Sequence, residues 1–131
     1  MSEKHIPYKE RLNHPEDFKV RYCFYSDDEE GRKSPPFQGI RSDFWYESEN
    51  HTMDGNFIIW PEFESKNGEL IESGIVLNEG IARMWIINDK LRAYHQERIK
   101  IGTKGYFIEG IRTGECEVID IVGLMSNPTK K

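Results

Sequence analysis

Glycine, proline and Asn-Gly steps divide this chain into short segments, and that punctuation constrains the fold more than any other feature. Pro35-Pro36, Pro61, Asn67-Gly68, Asn78-Glu79-Gly80, Gly102, Gly105, Gly110 and Gly114 fall between or inside brief apolar runs. Proline fixes φ and lacks a backbone N–H, glycine reaches positive φ without steric cost, and Asn-Gly favours a two-residue hairpin. Each of these steps therefore marks a turn, a bulge or the end of a strand. Many short strands with almost no helix imply an all-β sandwich or barrel.

In chain order, residues 1–16 are mostly charged, carry Pro7 and Pro15, and read as a loose arm. Residues 17–26 alternate, with Phe18, Val20, Tyr22 and Phe24 on one side and Lys19, Arg21 and Cys23 on the other, the period of a strand with one buried face. Residues 27–38 form a shaped loop running from four acids through Gly31, Arg32 and Lys33 to the Pro-Pro step. Ile40, Phe44 and Tyr46 then suit a second strand with one wet face. Residues 56–60 read as a third strand stopped by Pro61, and 62–74 as a hairpin excursion turning at Asn67-Gly68. In 81–87, Ala82, Met84 and Ile86 alternate with Arg83 and Trp85. Residues 88–98 are the one helix candidate, capped by Asn88 or Asp89, with Leu91, Tyr94 and His95 on one side. Segments 99–101, 105–109 and 115–122 complete the sheet, and 125–131 is a polar tail.

Two motifs carry a family resemblance. Glu30-Gly31-Arg32-Lys33-Ser34-Pro35-Pro36-Phe37 followed by Gly39-Ile40-Arg41 and Phe44-Trp45-Tyr46, and later Glu109-Gly110-Ile111-Arg112-Thr113-Gly114 with a strand ending in Val122-Gly123, resemble the third, C-terminal β-barrel domain of bacterial elongation factor Tu. The resemblance covers residues 17–124 and implies a closed six-stranded antiparallel barrel, here with one short helical insertion. It also implies that Arg32, Lys33, Ser34, Gly110, Arg112 and Thr113 lie where that family meets the tRNA backbone. The sequence departs from the family at Lys33, which replaces a His, and at Asp43, which replaces a Gln and would repel a phosphate.

The residues themselves narrow the chemistry. A chain of 131 residues with 37% hydrophobic content suits one domain with its own core. A net charge of −5 disfavours general affinity for nucleic acid or anionic membranes. Neither a membrane-spanning apolar run nor a signal peptide is evident, which makes the cytoplasm the expected location. Cys23 and Cys116 lack metal-ligand spacing and read as buried or partly buried thiols. His5, His14, His51 and His95 read as isolated surface histidines, and Glu62 and Glu64, two apart on one strand face, as solvated acids. No Gly-x-x-x-x-Gly-Lys-Ser/Thr loop or Gly-x-Ser-x-Gly elbow occurs, so the chain reads as a non-enzyme without cofactor or metal.

The leading expectation is a translation-associated or regulatory binding module acting by contact with a protein partner. Direct tRNA or RNA backbone binding through the 27–46 loop and 110–114 turn is second, and an immunity or antitoxin-like role is third. A second basic zone, Lys90, Arg92, Arg98, Lys100 and Lys104, reads as a solvated helix face or as the rim of a partner site. Exposed Trp45, Trp60 or Trp85 in an apolar patch would favour a protein partner.

Overall fold

The computed structural model describes residues 5–25, 36–47 and 57–128. The alternation after Asp17 produces β1 (Phe18–Phe24), whose Phe18, Val20, Tyr22 and Phe24 all point into the core. With β2 (Asp43–Tyr46), β3 (Ile59–Phe63), β4 (Glu79–Ile86), β5 (Lys104–Ile108) and β6 (Arg112–Ile121) it forms one six-stranded antiparallel sheet of order β2-β5-β6-β1-β4-β3. Phe44, Tyr46, Ile59, Phe63, Met84, Ile86, Phe107 and Val118 complete the inner face, with Tyr22 and Phe63 packed edge to face at 5.0 Å. Ring pairs of this geometry add about 0.5–1.5 kcal/mol beyond burial.

The sheet curls into a half-barrel, and the closed barrel implied by the resemblance is not formed. Among the described residues, backbone pairing between its edges is limited to one bridge just before β3, where Phe44 and Phe57 exchange bonds of 2.9 and 3.0 Å. Two bulges sharpen the curl. Opposite β1 the register of β6 slips between Lys19 and Val20, and opposite β5 it slips between Phe107 and Ile108. An extra residue on one strand bends the pair and increases its twist.

Proline 61 does not end the third strand; it lies within β3, opposite Met84. The bonds Ile87 N–H to Ile58 and Glu64 N–H to Ile81 place the even-numbered residues in hydrogen-bonded pairs with β4, so Pro61 turns its N–H-less nitrogen to the outside. Further along that outer edge, Gln38 acts as a substitute strand. Its amide accepts from Phe63 N–H at 2.9 Å and donates to the carbonyls of Phe63 at 2.9 Å and Ile71 at 2.6 Å. Proline and a side-chain amide thus blunt an edge that would otherwise recruit another chain.

A hairpin turns at Asn67-Gly68, with Glu64 bridged to Leu70, but not through the two-residue loop the dipeptide favours: Gly68 N–H bonds Ser65 O at 3.0 Å, and Gly68, not Asn67, takes the positive φ, +82. Segment 99–101 is a turn and not a strand. The helix is shorter than expected: a 3-10 turn, Asp89–Leu91, leads into α2 (Arg92–Arg98), whose N-terminus has no side-chain cap.

Residues 5–16, read from sequence as a loose arm, pack on the outer face of β3 and β4. There α1 (Tyr8–Leu12) starts after Pro7 and stops at Asn13, which takes the left-handed conformation at φ 60. Tyr8 is buried and packs on Trp85 with ring centres 5.7 Å apart. Near the other terminus Asn127, in the stretch read as a polar tail, is buried and donates to Pro15 O and Asp17 Oδ1, each at 2.8 Å.

Candidate functional site

Among the described residues, no other element packs over the outer face of β4-β1-β6-β5 at the Glu79 end of β4, and strand register arranges its side chains in rows. One row runs Lys104, Glu117, Arg21, Ile81, with Glu47 beside Lys104. Charges alternate along it, so it is nearly neutral. The next row runs Trp45, Tyr106, Glu115, Cys23, Glu79. Here two carboxylates flank a thiol, with no cation at the positions between them.

These rows line a groove of about 500 Å³ that includes Arg21, Cys23, Glu79, Lys104, Glu115 and Glu117. Gly80 and Gly105 lie in its floor. Glycine at 105 is required, because a Cβ there would stand 2.4 Å from the Phe44 ring and 2.6 Å from Trp45 O. Glu115 accepts from Tyr25 Oη–H at 3.3 Å, and the Cys23 thiol lies 3.9 Å from Glu79 Oε2. Burial, with Glu115 adding to it, raises the Tyr25 phenol, while Arg112 opposes the shift. Among the described residues, the groove's acids and bases make no ion pair with one another within 4 Å.

Of the residues implied by the resemblance, Arg32, Lys33 and Ser34 lie outside the described residues. Gly110 sits at the exposed tip of the β5–β6 turn at φ +80, where Glu109 N–H reaches Ile111 O at 2.8 Å. Arg112 is exposed and stacks 3.9 Å over Tyr106, at the end of the acidic row. Thr113 is no contact residue: it is 1% exposed, and its hydroxyl donates to Phe107 O at 3.3 Å. It is the extra residue of the β6 bulge, which turns it inward beside Gly114.

The second basic zone does not form one surface. Arg92 is buried against Asp17, Arg98 lies 3.4 Å over the Tyr94 ring and donates to Tyr94 O, and Lys104 joins the groove. Lys90, Lys100 and Lys104 are exposed, but Lys90 and Lys100 lie on connecting turns and Lys104 on β5.

Several polar residues are buried, Glu62, Glu64 and His95 among them although they read as solvated. Asp17 accepts from Arg92 Nη1, from Ile86 N–H at 2.8 Å and from Asn127, linking β1, β4, α2 and the C-terminal turn. Glu62, 1% exposed, gathers His5 Nε2, Tyr8 N–H at 2.8 Å and Trp85 Nε1–H at 2.9 Å. Glu64, also buried, meets Arg83 at 2.9 Å and Lys19 at 3.2 Å. His95 is 1% exposed and pairs through Nδ1 with Tyr46 Oη; burial, then the charges of Arg98 and Arg92, lower its pKa to about 4. Cys116 is buried and its thiol pushed up, whereas Cys23 is exposed. Trp85 is covered by α1, and half-buried Trp60 donates to Asp43 under Arg41, so these tryptophans form no exposed apolar patch.

Each buried acid thus has donors of its own, which suits structural hubs. Among the described residues no group of three or more His, Cys, Asp or Glu is placed to hold a metal ion, and no helix is long and apolar enough to cross a membrane. No protein-family model and no curated protein matches the chain.

Proposed function

We propose that this chain is a non-enzymatic binding module, resembling the C-terminal barrel of elongation factor Tu, that engages a protein partner through the outer face of β4-β1-β6-β5. The observation that carries this reading is the groove, whose charged side chains, exposed apart from half-buried Glu117, are not spent on one another among the described residues. Among the described residues, the outer face of β3 and β4 is closed by α1 and the sheet edge at β3 is blunted by Pro61 and Gln38, which favours the groove as the partner's surface. A protein fits better than RNA, because the lining holds Glu47, Glu79, Glu115 and Glu117 against Arg21 and Lys104. A phosphate backbone would meet net repulsion there.

A photo-crosslinking side chain placed at Ile81, inside the groove, tests the reading against the same group at Ile75, which is exposed elsewhere. A discrete protein adduct in cells from position 81 and not from 75 is expected. Adducts from both alike, or an RNA adduct from 81, would overturn it.

A further inference from the structure

Resting on that reading, we infer that the partner seated on this face is a second copy of the chain, turned about a two-fold axis that runs along the strands between Lys104 and Glu117. Register sets four charges in one row across the sheet: Glu47, just past β2, lies beside Lys104, Lys104 stands opposite Glu117, and Glu117 opposite Arg21. Their signs run minus, plus, minus, plus. Read backwards, such a row is plus, minus, plus, minus, so it is complementary to itself when two copies meet with their rows antiparallel. Lys104 of each copy then meets Glu117 of the other and Arg21 meets Glu47, every contact being made twice, as a two-fold interface requires. The Lys104–Glu117 contacts lie next to the axis, and the Arg21–Glu47 contacts about 7 Å to either side, one and a half strand spacings, where long side chains reach across the curl of the sheet. A two-fold axis along the row would set each charge against its own like, so the row also fixes the direction of the axis.

Among the described residues none of the four enters an ion pair within the chain, although opposite signs stand on neighbouring strands. Arg21, Glu47 and Lys104 are exposed and Glu117 is half-buried. The net charge of −5 opposes self-association in general, whereas this row is balanced, two acids against two bases. The next row accepts the same rotation. Glu115 on β6 comes opposite Tyr106 on β5 of the second copy, over which Arg112 is stacked at 3.9 Å, and Glu79 on β4 falls outside the overlap of the two rows. A foreign segment would have to reproduce this alternation at the spacing of the strands, and a second copy already carries it.

Sedimentation of the full chain over rising concentration tests the assignment. The parent should move from the mass of one chain toward that of two. Lys104→Glu and Glu117→Lys should each weaken self-association by about tenfold or more, because each sets like charges together at two contacts. Mixed in equal amounts, the two variants should associate with one another as the parent does with itself, since every facing pair is again of opposite sign. A variant that had lost its fold could not be rescued in this way. A parent that keeps the mass of one chain at every concentration, a dimer indifferent to both changes, or a mixture that stays monomeric overturns the second copy as occupant. The crosslinker at Ile81 separates that failure from failure of the groove itself: an adduct with a different protein keeps this face as a partner's surface and removes the second copy from it, whereas no adduct removes both.

Discussion

Arg92 reaches from the first turn of α2 onto Asp17, the residue just before β1, and both side chains are buried, at 2% and 0% exposure. Asp17 also accepts from Ile86 N–H and Asn127, so one carboxylate joins the sheet to the helix and to the C-terminal turn. Breaking a buried pair from one side leaves an uncompensated charge, which costs about 3–5 kcal/mol. Arg92→Met should therefore lower stability by about that amount, and Asp17→Asn combined with it should cost less than the two single changes added together. Urea denaturation of the three variants checks this. A loss below about 1 kcal/mol for Arg92→Met would show the pair to be dispensable.

His95 makes stability depend on pH. Its folded pKa, about 4, lies below the ordinary value of 6.5 because burial penalises the imidazolium and Arg98 and Arg92 repel it. Above pH 6.5 the ring is neutral in both states and contributes no pH dependence. As pH falls from 6.5 toward 4 the unfolded chain takes up a proton that the folded chain refuses, so stability declines, by about 3 kcal/mol from this group alone. Urea midpoints measured between pH 7 and 4 should fall in the parent and fall less in His95→Gln. An equal decline in both would assign the effect to other groups.

Strand positions were largely legible in the sequence because period-2 alternation and turn residues are local signals. The inward set Phe18, Val20, Tyr22, Phe24 and the offset of Ala82, Met84 and Ile86 from Trp85 both follow from residues a few positions apart. What local pattern could not reveal was anything decided across the sheet. Thr113 alternates as an outward residue until the bulge turns it in, and Pro61 reads as a stop until its strand is known to lie at an edge. Arg92 and His95 lie three apart on a helix, which fits a solvated face as well as a buried one, and only their partners Asp17 and Tyr46 distinguish the two. One weak signal was available: an acid directly before a fully alternating strand, as Asp17 is, stands where a sheet edge meets other backbone. The groove's acidic row was equally hidden, since Glu79 and Glu115 become neighbours of Cys23 only through register.

Gly105 should resist substitution for a steric reason. A methyl group would enter the space of the Phe44 ring and of the Trp45 carbonyl, and backbone cannot step aside as a flexible side chain can. Gly105→Ala is expected to cost about 1–3 kcal/mol or more. Gly80→Ala serves as the control, because its nearest neighbour, Tyr22 Oη, would be 3.5 Å away, an ordinary contact. That change should stay within about 1 kcal/mol. Thermal melts of the two variants read the difference, and equal losses would contradict the packing of β2 on β5.

Gln38 guards the outer edge of β3 through bonds that leucine, of similar size, cannot make. Gln38→Leu leaves the Phe63 N–H without its acceptor, at a cost of about 1–3 kcal/mol, and uncovers strand edge. The variant should be both less stable and more prone to associate with rising concentration, whereas the parent should not associate through this edge. Light scattering coupled to size exclusion checks the second effect; a destabilised variant of unchanged mass would mean that Pro61 alone protects the edge.

Glu62 holds residues 5–12 to the sheet. Its carboxylate gathers the His5 ring, the first N–H of α1 at Tyr8 and the indole of Trp85, so removing it orphans donors on both sides of the contact at once. A five-residue helix has too few turns to persist without such an anchor. Glu62→Ala should therefore release α1 before the sheet itself opens, because the inner-face core does not depend on this carboxylate. Amide exchange should rise across residues 5–14 while β1 and β6 stay protected, and fluorescence should move to the red as Trp85 meets water. The red shift should vanish in a Trp85→Phe background, which separates it from Trp45 and Trp60. Unchanged exchange in 5–14 would show that the Tyr8–Trp85 ring contact suffices to hold the helix, and faster exchange in β1 as well would show that α1 and the sheet unfold together.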